Sequence, residues 1–598
     1  MIPYNAPIQD IRFTLNHVVD LPAVAALPGY EAASPDLVDA VLEEAGKLAR
    51  DVLAPINWQG DQEGAVLDNG VVRTPTGFKE AYRAYAEGGW NSVPFDPEHG
   101  GQGLPWTLAM PIQEMWNAAN MSFALCPMLN QGAVELLTEH GSEEQKRLYL
   151  EKMISGEWTG TMNLTEPQAG SDVGAVRSRA VPAGDGTYRI TGQKIFITYG
   201  EHDFTSNIIH MVLARTPDAP PGVKGISLFI VPKFLVNPDG SPGARNDLRC
   251  AGLEHKLGIH ASPTAVMAFG DNGGATGFLI GEENRGIEYM FTMMNNARLG
   301  VGVQGVGIAE RAYQQARDYA KTRVQSRALT GRDPGPVAII NHPDVRRMLL
   351  TAKSQIEAAR ALSYLTASAF DRAKRHPDAE ERRRAKALND LLTPITKAWC
   401  TDLGVESASL GVQVHGGMGF IEETGAAQHL RDARIAPIYE GTNGIQANDL
   451  VFRKVARDGG ETALRLLAEI RDTAAAAKDR PGDDMAVIGG NLADAAAALE
   501  QATSWVVETA KSDPAAVAAG AVPYLRMSGI VIGGWLSAKA AIAAQALMAA
   551  PGEDRRFLDG KLITTRFYAD QILPQVHGLL KPIVEGHRAV MALDAEQF

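Results

Sequence analysis

From residue 37 onward apolar side chains recur every three to four positions: Leu37, Val38, Val41, Leu42, Ala45, Leu48, Ala49, Val52 and Leu53. That period predicts an amphipathic helix. Ser34-Pro35-Asp36 supplies its start, with a cap, a proline at the first helical position and an acid at the positive end of the dipole. Pro55 ends it. Residues 1–33 lack the period and read as an irregular leader. Further helical patterns cover 81–87, 108–117, 133–139 and 143–154, with a turn-rich break at 96–101.

Near Thr159 the pattern changes. Short β-branched and aromatic runs occupy 188–191, 194–198, 208–214, 226–231 and 265–269, with Gly and Pro between them. They predict a compact antiparallel β domain. Helical periodicity returns at Gly286 and runs to about Arg457, and the charge-dense stretch 372–384 reads as a solvated interhelical turn. A polar linker at 479–484 precedes an Ala-rich helical block. The expected plan is multi-domain and mainly α, with a central β domain. Its parts are a leader (1–33), an N-terminal α domain (34–158), a middle β domain (159–283), an α bundle (284–458) and an additional helical domain (459–598). The most apolar window, 527–550, holds Ser528, Ser537, Lys539 and Gln545 and is richer in Ala and Gly than in Leu. It predicts a buried helix, with no membrane span.

Composition narrows the function. The 598 residues carry a net charge of −13, which disfavours nucleic acid as the main partner. Cys126, Cys250 and Cys400 lie far apart, forming neither metal-ligand spacing nor a disulfide framework. That usage suits a reducing cytosol. The N-terminus, Met1-Ile2-Pro3-Tyr4-Asn5-Ala6, lacks a basic region followed by an apolar one, so a cytoplasmic location is expected.

Five segments invite a chemical reading. Gly300-Val301-Gly302-Val303-Gln304-Gly305 is a formal GxGxxG, yet helical patterns flank it on both sides. A dinucleotide fingerprint needs a preceding strand, so a small-residue helix face is the better account. Thr165-Glu166-Pro167-Gln168-Ala169-Gly170-Ser171-Asp172 offers N–H groups and hydroxyls at a strand-end turn, for a ligand or for structure alone. In Gly192–Gly200, Phe196 and Thr198 are two residues apart, hence on one strand face that could carry a flat ring. Gln413-Val414-His415-Gly416-Gly417 reads by default as a satisfied histidine before a helix stop. Ile438-Tyr439-Glu440-Gly441-Thr442-Asn443 places an acid at a turn opening a helix, a general-base candidate or an exposed N-terminal acid.

In this order, TEPxAGSD, the KxFIT strand, QVHGGxGF and IYEGTxxIQ resemble the acyl-CoA dehydrogenase family of flavoenzymes over roughly residues 35–457. The resemblance implies an α-helical N domain, a β-barrel-like middle domain and an α bundle. Here an extra C-terminal helical domain succeeds them. Pro336–Met348 and that domain resemble the family's longer branch, which includes enzymes acting on 3-methylmercaptopropionyl-CoA and on long-chain fatty acyl-CoA.

The resemblance also implies FAD as the cofactor. By the same likeness Met162, Leu164, Thr165, Phe196 and Thr198 contact the flavin, while Arg323, Gln413 and Gly417 hold the adenosine diphosphate part of FAD on the neighbouring subunit. Thr442 is implied to lie near the flavin phosphates. Ser171, assigned by the resemblance to both ligands, lines the CoA channel with Asn295 and Arg298, and Tyr439 and Gly441 flank the substrate. Glu440 is the implied catalytic base; the family's other base position holds Ala297. Val324-Gln325-Ser326-Arg327 and Gly444 depart from the family pattern at the adenine and pyrophosphate contacts.

The implied reaction turns an acyl-CoA into its trans-2-enoyl-CoA and passes electrons to an electron-transferring flavoprotein, as in fatty acid β-oxidation. The expected substrate is 3-methylmercaptopropionyl-CoA, with medium- or long-chain fatty acyl-CoA as alternative. The family commonly forms dimers of dimers. The extra domain, with Trp505, Trp535, Leu536 and Leu562 to bury, is expected to take the second dimer's place and leave a homodimer. An acyl-CoA oxidase would share the fold and the base. A nucleic-acid-binding flavoprotein would carry a basic C-terminal block, but residues 456–598 hold 14 basic and 18 acidic residues.

Overall fold

The computed structural model describes residues 3–329, 335–552 and 554–598; Met1 and Ile2 of the N-terminal segment lie outside the described residues. The chain divides into two compact units. Unit 1 comprises Met1–Glu43, Trp106–Glu114 and Val301–Phe598, and unit 2 comprises Glu44–Pro105 and Met115–Gly300.

Unit 2 is built on an eight-stranded sheet. Seven strands run in the order Leu248–Leu253, Thr264–Phe269, Tyr188–Thr198, Ala275–Leu279, Ser227–Pro232, Asn207–Ala214, Trp158–Asn163; Arg179–Pro182 also pairs with Tyr188–Thr198. Every residue of Asn207–Ala214 and Ser227–Pro232 is buried, which is why these strands are mostly apolar, and their polar members Asn207, His210 and Ser227 each hold a hydrogen bond in the interior. The expected antiparallel domain needs one correction. Trp158–Asn163 pairs in parallel with Asn207–Ala214, from Trp158 opposite Asn207 to Asn163 opposite Val212. A parallel pair needs a long crossover between its strands, and residues 164–206 provide it. Helices cover Trp158–Asn163: a Cβ added to Gly160 would lie 2.4 Å from Ala133 and 2.8 Å from Met153.

Unit 1 is helical. Helices Pro343–Arg375 and Ala379–His415 form an antiparallel pair joined at His376-Pro377-Asp378, where Asp378 accepts from the N–H groups of Glu380 (2.7 Å) and Glu381 (3.3 Å). The GxGxxG segment lies inside helix Gly286–Thr322. Gly305 lets that helix meet Ala379–His415 backbone to backbone; a Cβ there would sit 2.2 Å from the Cys400 carbonyl oxygen. The glycines serve helix packing.

The leader is also corrected. It forms two helices, Ile8–His17 and Leu21–Ala25, with Tyr4, Ile11 and Leu15 fully buried. Ile8–His17 starts on Pro7 without a side-chain cap, so its stability comes from packing that a local pattern does not reveal. In the C-terminal block Trp535 and Leu536 are buried as expected, whereas Trp505 and Leu562 are half-buried. Among the described residues one helix, Pro514–Leu547, is long and apolar enough to cross a membrane, and 67% of its most apolar window is buried within the protein. Its Gly529 admits the Trp399 ring, which a Cβ would meet at 2.3 Å.

Candidate active site

In unit 2, strand Tyr188–Thr198 passes beside the turn after Asn163, and the Ile195 N–H donates to the Thr165 carbonyl at 2.9 Å. Lys194 on this strand is completely buried. Its Nζ donates to Glu166 Oε1 at 2.7 Å and to the Leu164 carbonyl at 3.0 Å. Glu166 also accepts from Ser178 Oγ (2.6 Å) and from the N–H groups of Arg177 (2.7 Å) and Ser178 (3.1 Å). Burial alone would raise the Glu166 carboxyl, but Lys194 and these donors hold it down at about 2. The pair fixes the path of Leu164 and Thr165 against the strand.

The strand's pleat is broken at Phe196. Its φ is 59°, and the ladder with Thr264–Phe269 shifts register between Ala265 and Met267. Such a bulge re-aims side chains. Phe196 stays 58% exposed, Thr198 is half-buried, and Ile197 between them is buried. Met162, Leu164 and Thr165 are half-buried and Ser171 is exposed. Unit 2 thus presents an aromatic ring, apolar side chains and hydroxyls on connected segments. Behind them Thr159 and Thr161 bond His202 Nε2 (2.8 Å) and His210 Nδ1 (2.7 Å). Burial, aided by nearby Lys233, pushes both imidazoles down to about 3, so they are neutral. In helix Gly286–Thr322, Asn295 is exposed, Ala297 and Arg298 are buried, and Arg298 Nη1 donates to Asn295 Oδ1 at 3.4 Å.

In unit 1, Glu440 is half-buried with φ 56°, followed by Gly441 at φ 82°. A left-handed backbone costs a non-glycine residue about 1–2 kcal/mol, and such outliers concentrate at functional sites. The flanks of the turn are anchored. The Tyr439 hydroxyl donates to Gln304 Oε1; burial, and then the Glu440 carboxylate, push its phenol far above the usual range. The Asn443 N–H donates to the Pro437 carbonyl at 3.0 Å. Asn443 Oδ1 accepts from Lys397 Nζ at 2.8 Å, and its Nδ2 donates to Asp402 Oδ1 at 2.7 Å. Thr442 caps helix Asn443–Asn448 by accepting from the Ile445 N–H at 3.3 Å.

Elsewhere in unit 1, Arg323, Gln413 and Gly417 are exposed. The departing segment Val324–Arg327 forms a small antiparallel ladder with Pro336–Ala338. His415 is a structural histidine: it is buried, stacked on Tyr319 at 4.4 Å, and bonded through Nδ1 to the Gly411 carbonyl at 2.7 Å. The structure brings Tyr439, Glu440, Gly441 and Thr442 together in one turn, and Met162, Leu164, Thr165, Phe196 and Thr198 together on connected strand segments. Sequence reasoning assigned no part to Lys194, Gln304, Asn443 or Gln446. The readable signal for Lys194 was a lysine in an otherwise apolar strand face, which requires an acidic partner.

Four family models match, described as acyl-CoA dehydrogenase N-terminal domain (residues 38–157), middle domain (161–272) and C-terminal domain (284–454), and as acetyl-CoA dehydrogenase C-terminal like (466–594). The chain is 51% identical to a 3-methylmercaptopropionyl-CoA dehydrogenase from Ruegeria pomeroyi, over 95% of this chain and 96% of that protein. It is 39% identical to a butyryl-CoA dehydrogenase from Syntrophomonas wolfei, covering 100% and 99%. Among solved structures it resembles an acyl-CoA dehydrogenase complexed with FAD from Bacillus anthracis, with TM-score 0.73, 20% identity and coverage of 98% and 92%. That likeness extends the shared fold through the C-terminal helices.

Proposed function

The chain belongs to the acyl-CoA dehydrogenase family, and from that premise we propose that it is an FAD-dependent enzyme oxidising 3-methylmercaptopropionyl-CoA to the trans-2-enoyl-CoA. It is an oxidoreductase acting on the CH–CH bond of an acyl-CoA. The substrate reading is carried by the Ruegeria pomeroyi relative, half identical over nearly the whole length. The full-length butyryl-CoA dehydrogenase relative supports a short unsubstituted acyl chain as second reading.

FAD fits the residues present. Phe196 leaves an aromatic face 58% exposed, with Met162 and Leu164 as apolar neighbours and Thr165, Thr198 and Ser171 as hydroxyl donors. Arg323, Gln413 and Gly417, with Thr442, would hold its nucleotide part. When bound, FAD would supply the oxidising chemistry, as the acceptor for the β hydrogen and its electron pair. The α proton is the protein's task. It is weakly acidic, and Glu440 is assigned its removal. As it leaves, charge gathers on the thioester carbonyl oxygen, where a backbone N–H such as that of Glu440 is needed. A base already set in one backbone conformation loses little ordering entropy in the reaction. Ser171, Asn295 and Arg298 are assigned to CoA, Tyr439 and Gly441 to the acyl group.

The same reading assigns an electron-transferring flavoprotein as electron acceptor, a cytoplasmic location and a β-oxidation type of pathway. The test is anaerobic bleaching of the holoenzyme's flavin with 3-methylmercaptopropionyl-, butyryl-, octanoyl- and palmitoyl-CoA. Fastest reduction by the methylthio or butyryl substrate is expected. A palmitoyl rate far above both would overturn the substrate reading, and peroxide formation without added acceptor would favour an oxidase.

A further inference from the structure

We propose that Gln446 is a positioning residue that holds the catalytic base in its left-handed conformation; the inference rests on reading Glu440 as that base. Gln446 lies in helix Asn443–Asn448, six residues after Glu440, and is completely buried. Its Nε2 donates to the carbonyl oxygens of both Glu440, at 3.2 Å, and Gly441, at 3.3 Å. Both neighbours are acceptors, which fixes the amide nitrogen as the group facing the turn.

These two bonds act on the backbone at the base itself. The Glu440 carbonyl orients the peptide plane set by ψ of Glu440 and φ of Gly441. The Gly441 carbonyl orients the next plane, set by ψ of Gly441 and φ of Thr442. One amide therefore restrains four consecutive dihedrals in the stretch where Glu440 and Gly441 take φ of 56° and 82°. The other anchors, Tyr439 to Gln304 and Asn443 to Lys397 and Asp402, hold residues on either side.

The amide is also retained at a cost. Gln446 Oε1 is buried and has no hydrogen-bond partner among the described residues. A buried carbonyl without a partner is unfavourable, and an apolar side chain of the same length would avoid it. What the apolar side chain lacks is the pair of N–H donors aimed at the turn. The direction of the Glu440 Cα–Cβ bond depends on its backbone dihedrals, so loosening them spreads the carboxylate over positions from which the α proton is out of reach. Misplacement by about 1 Å can cost on the order of a hundredfold in rate.

The test uses the FAD-loaded enzyme and anaerobic stopped-flow flavin reduction, with the acyl-CoA dissociation constant measured alongside. Gln446→Met keeps length and removes both donors; Gln446→Glu keeps shape and removes the N–H groups. If the methionine variant fails to retain FAD, the glutamate variant carries the comparison. The limiting reduction rate is expected to fall about 10- to 100-fold, with the dissociation constant within about threefold of wild type. Added to Glu440→Gln, the Gln446 substitution should slow reduction no further, because it acts through the carboxylate. A wild-type limiting rate in a folded Gln446 variant, or losses that multiply in the double variant, overturns the positioning role. A wild-type rate in Glu440→Gln alone overturns instead the assignment of the base.

Discussion

Lys194 and Glu166 form an ion pair of 2.7 Å with side chains 0% and 4% exposed, tying the turn after Asn163 to the strand that carries Phe196. Removing one member leaves the other charge uncompensated, at a cost of about 3–5 kcal/mol. The pH dependence has a definite sign. The Glu166 carboxyl is lowered from 4.5 to about 2 in the fold, so its stabilisation is present above pH 4.5 and disappears as pH falls through 2. Glu166→Gln should be less stable than wild type at neutral pH, yet lose less stability between pH 4.5 and 2. Urea titrations at a series of pH values measure this. Parallel losses in the two proteins would show that Glu166 titrates normally.

The helix contact at Gly305 sets up a graded comparison. A Cβ there meets the Cys400 carbonyl oxygen at 2.2 Å and the Thr401 nitrogen at 2.7 Å, both backbone atoms that cannot rotate away. Gly305→Ala should cost about 1–3 kcal/mol through displacement of the helices. At Gly411 the nearest atom is 3.5 Å away, an ordinary contact. Gly411→Ala should be neutral or stabilising by up to about 1 kcal/mol, since alanine suits a helix interior better than glycine. Denaturation midpoints moving in the same direction for both would refute this account.

Glu440→Asp separates basicity from reach. Aspartate tolerates the left-handed backbone and keeps a carboxylate, but withdraws it by one methylene. If Glu440 is the base, flavin reduction should slow by about a hundredfold with FAD still bound. Stopped-flow bleaching at saturating acyl-CoA reads the rate, and an unchanged rate would mean the proton leaves to another group.

The helix–sheet–helix plan was legible because its segments carry long periodic patterns, and the strand at 208–214 was legible as a β-branched, apolar run interrupted by His210 alone. The strand Trp158–Asn163 was not. It contains only two β-branched residues, both Thr, and its place in the sheet depends on a parallel partner far along the chain. The turn at 439–442 could be recognised as a motif, but neither the left-handed φ of Glu440 nor the Gln446 bonds to its carbonyls have a local signature. A glutamine in an alternating helix looks like any solvated polar residue until tertiary packing buries it.

The C-terminal extension covers much of the helix pair, with Trp399 seated against Gly529 and Gly533. We propose that the extension takes the place of a second dimer. The expected assembly is a homodimer at twice the 64.0 kDa chain mass, measured by light scattering at micromolar concentration. A stable species of four chains would contradict it.

Arg360 is where segments distant in sequence converge within unit 1. Its guanidinium is 1% exposed and donates to Glu114 (2.6 and 2.9 Å), to Glu310 (2.9 Å) and to Asp10 (2.5 Å). Tyr364 donates to the second Glu114 oxygen at 2.6 Å. From the extension, Lys561 pairs with Asp10 and, at 3.0 Å, with Glu357. One planar cation thus compensates acids from the leader, from helix Trp106–His140 and from helix Gly286–Thr322. Arg360→Met fills similar space but strands Glu114 and Glu310 in a dry interior, which should cost about 3–5 kcal/mol. Arg360→Lys should recover little of it, because a compact ammonium cannot reproduce a fork of donors in one plane. Asp10 keeps Lys561 in either variant, so the leader helix should stay docked while the core loosens. Urea denaturation measures the loss, and hydrogen exchange over residues 8–17 compared with 343–375 locates it. A denaturation curve for Arg360→Met that overlays the wild type would show that the acids need no cation among them.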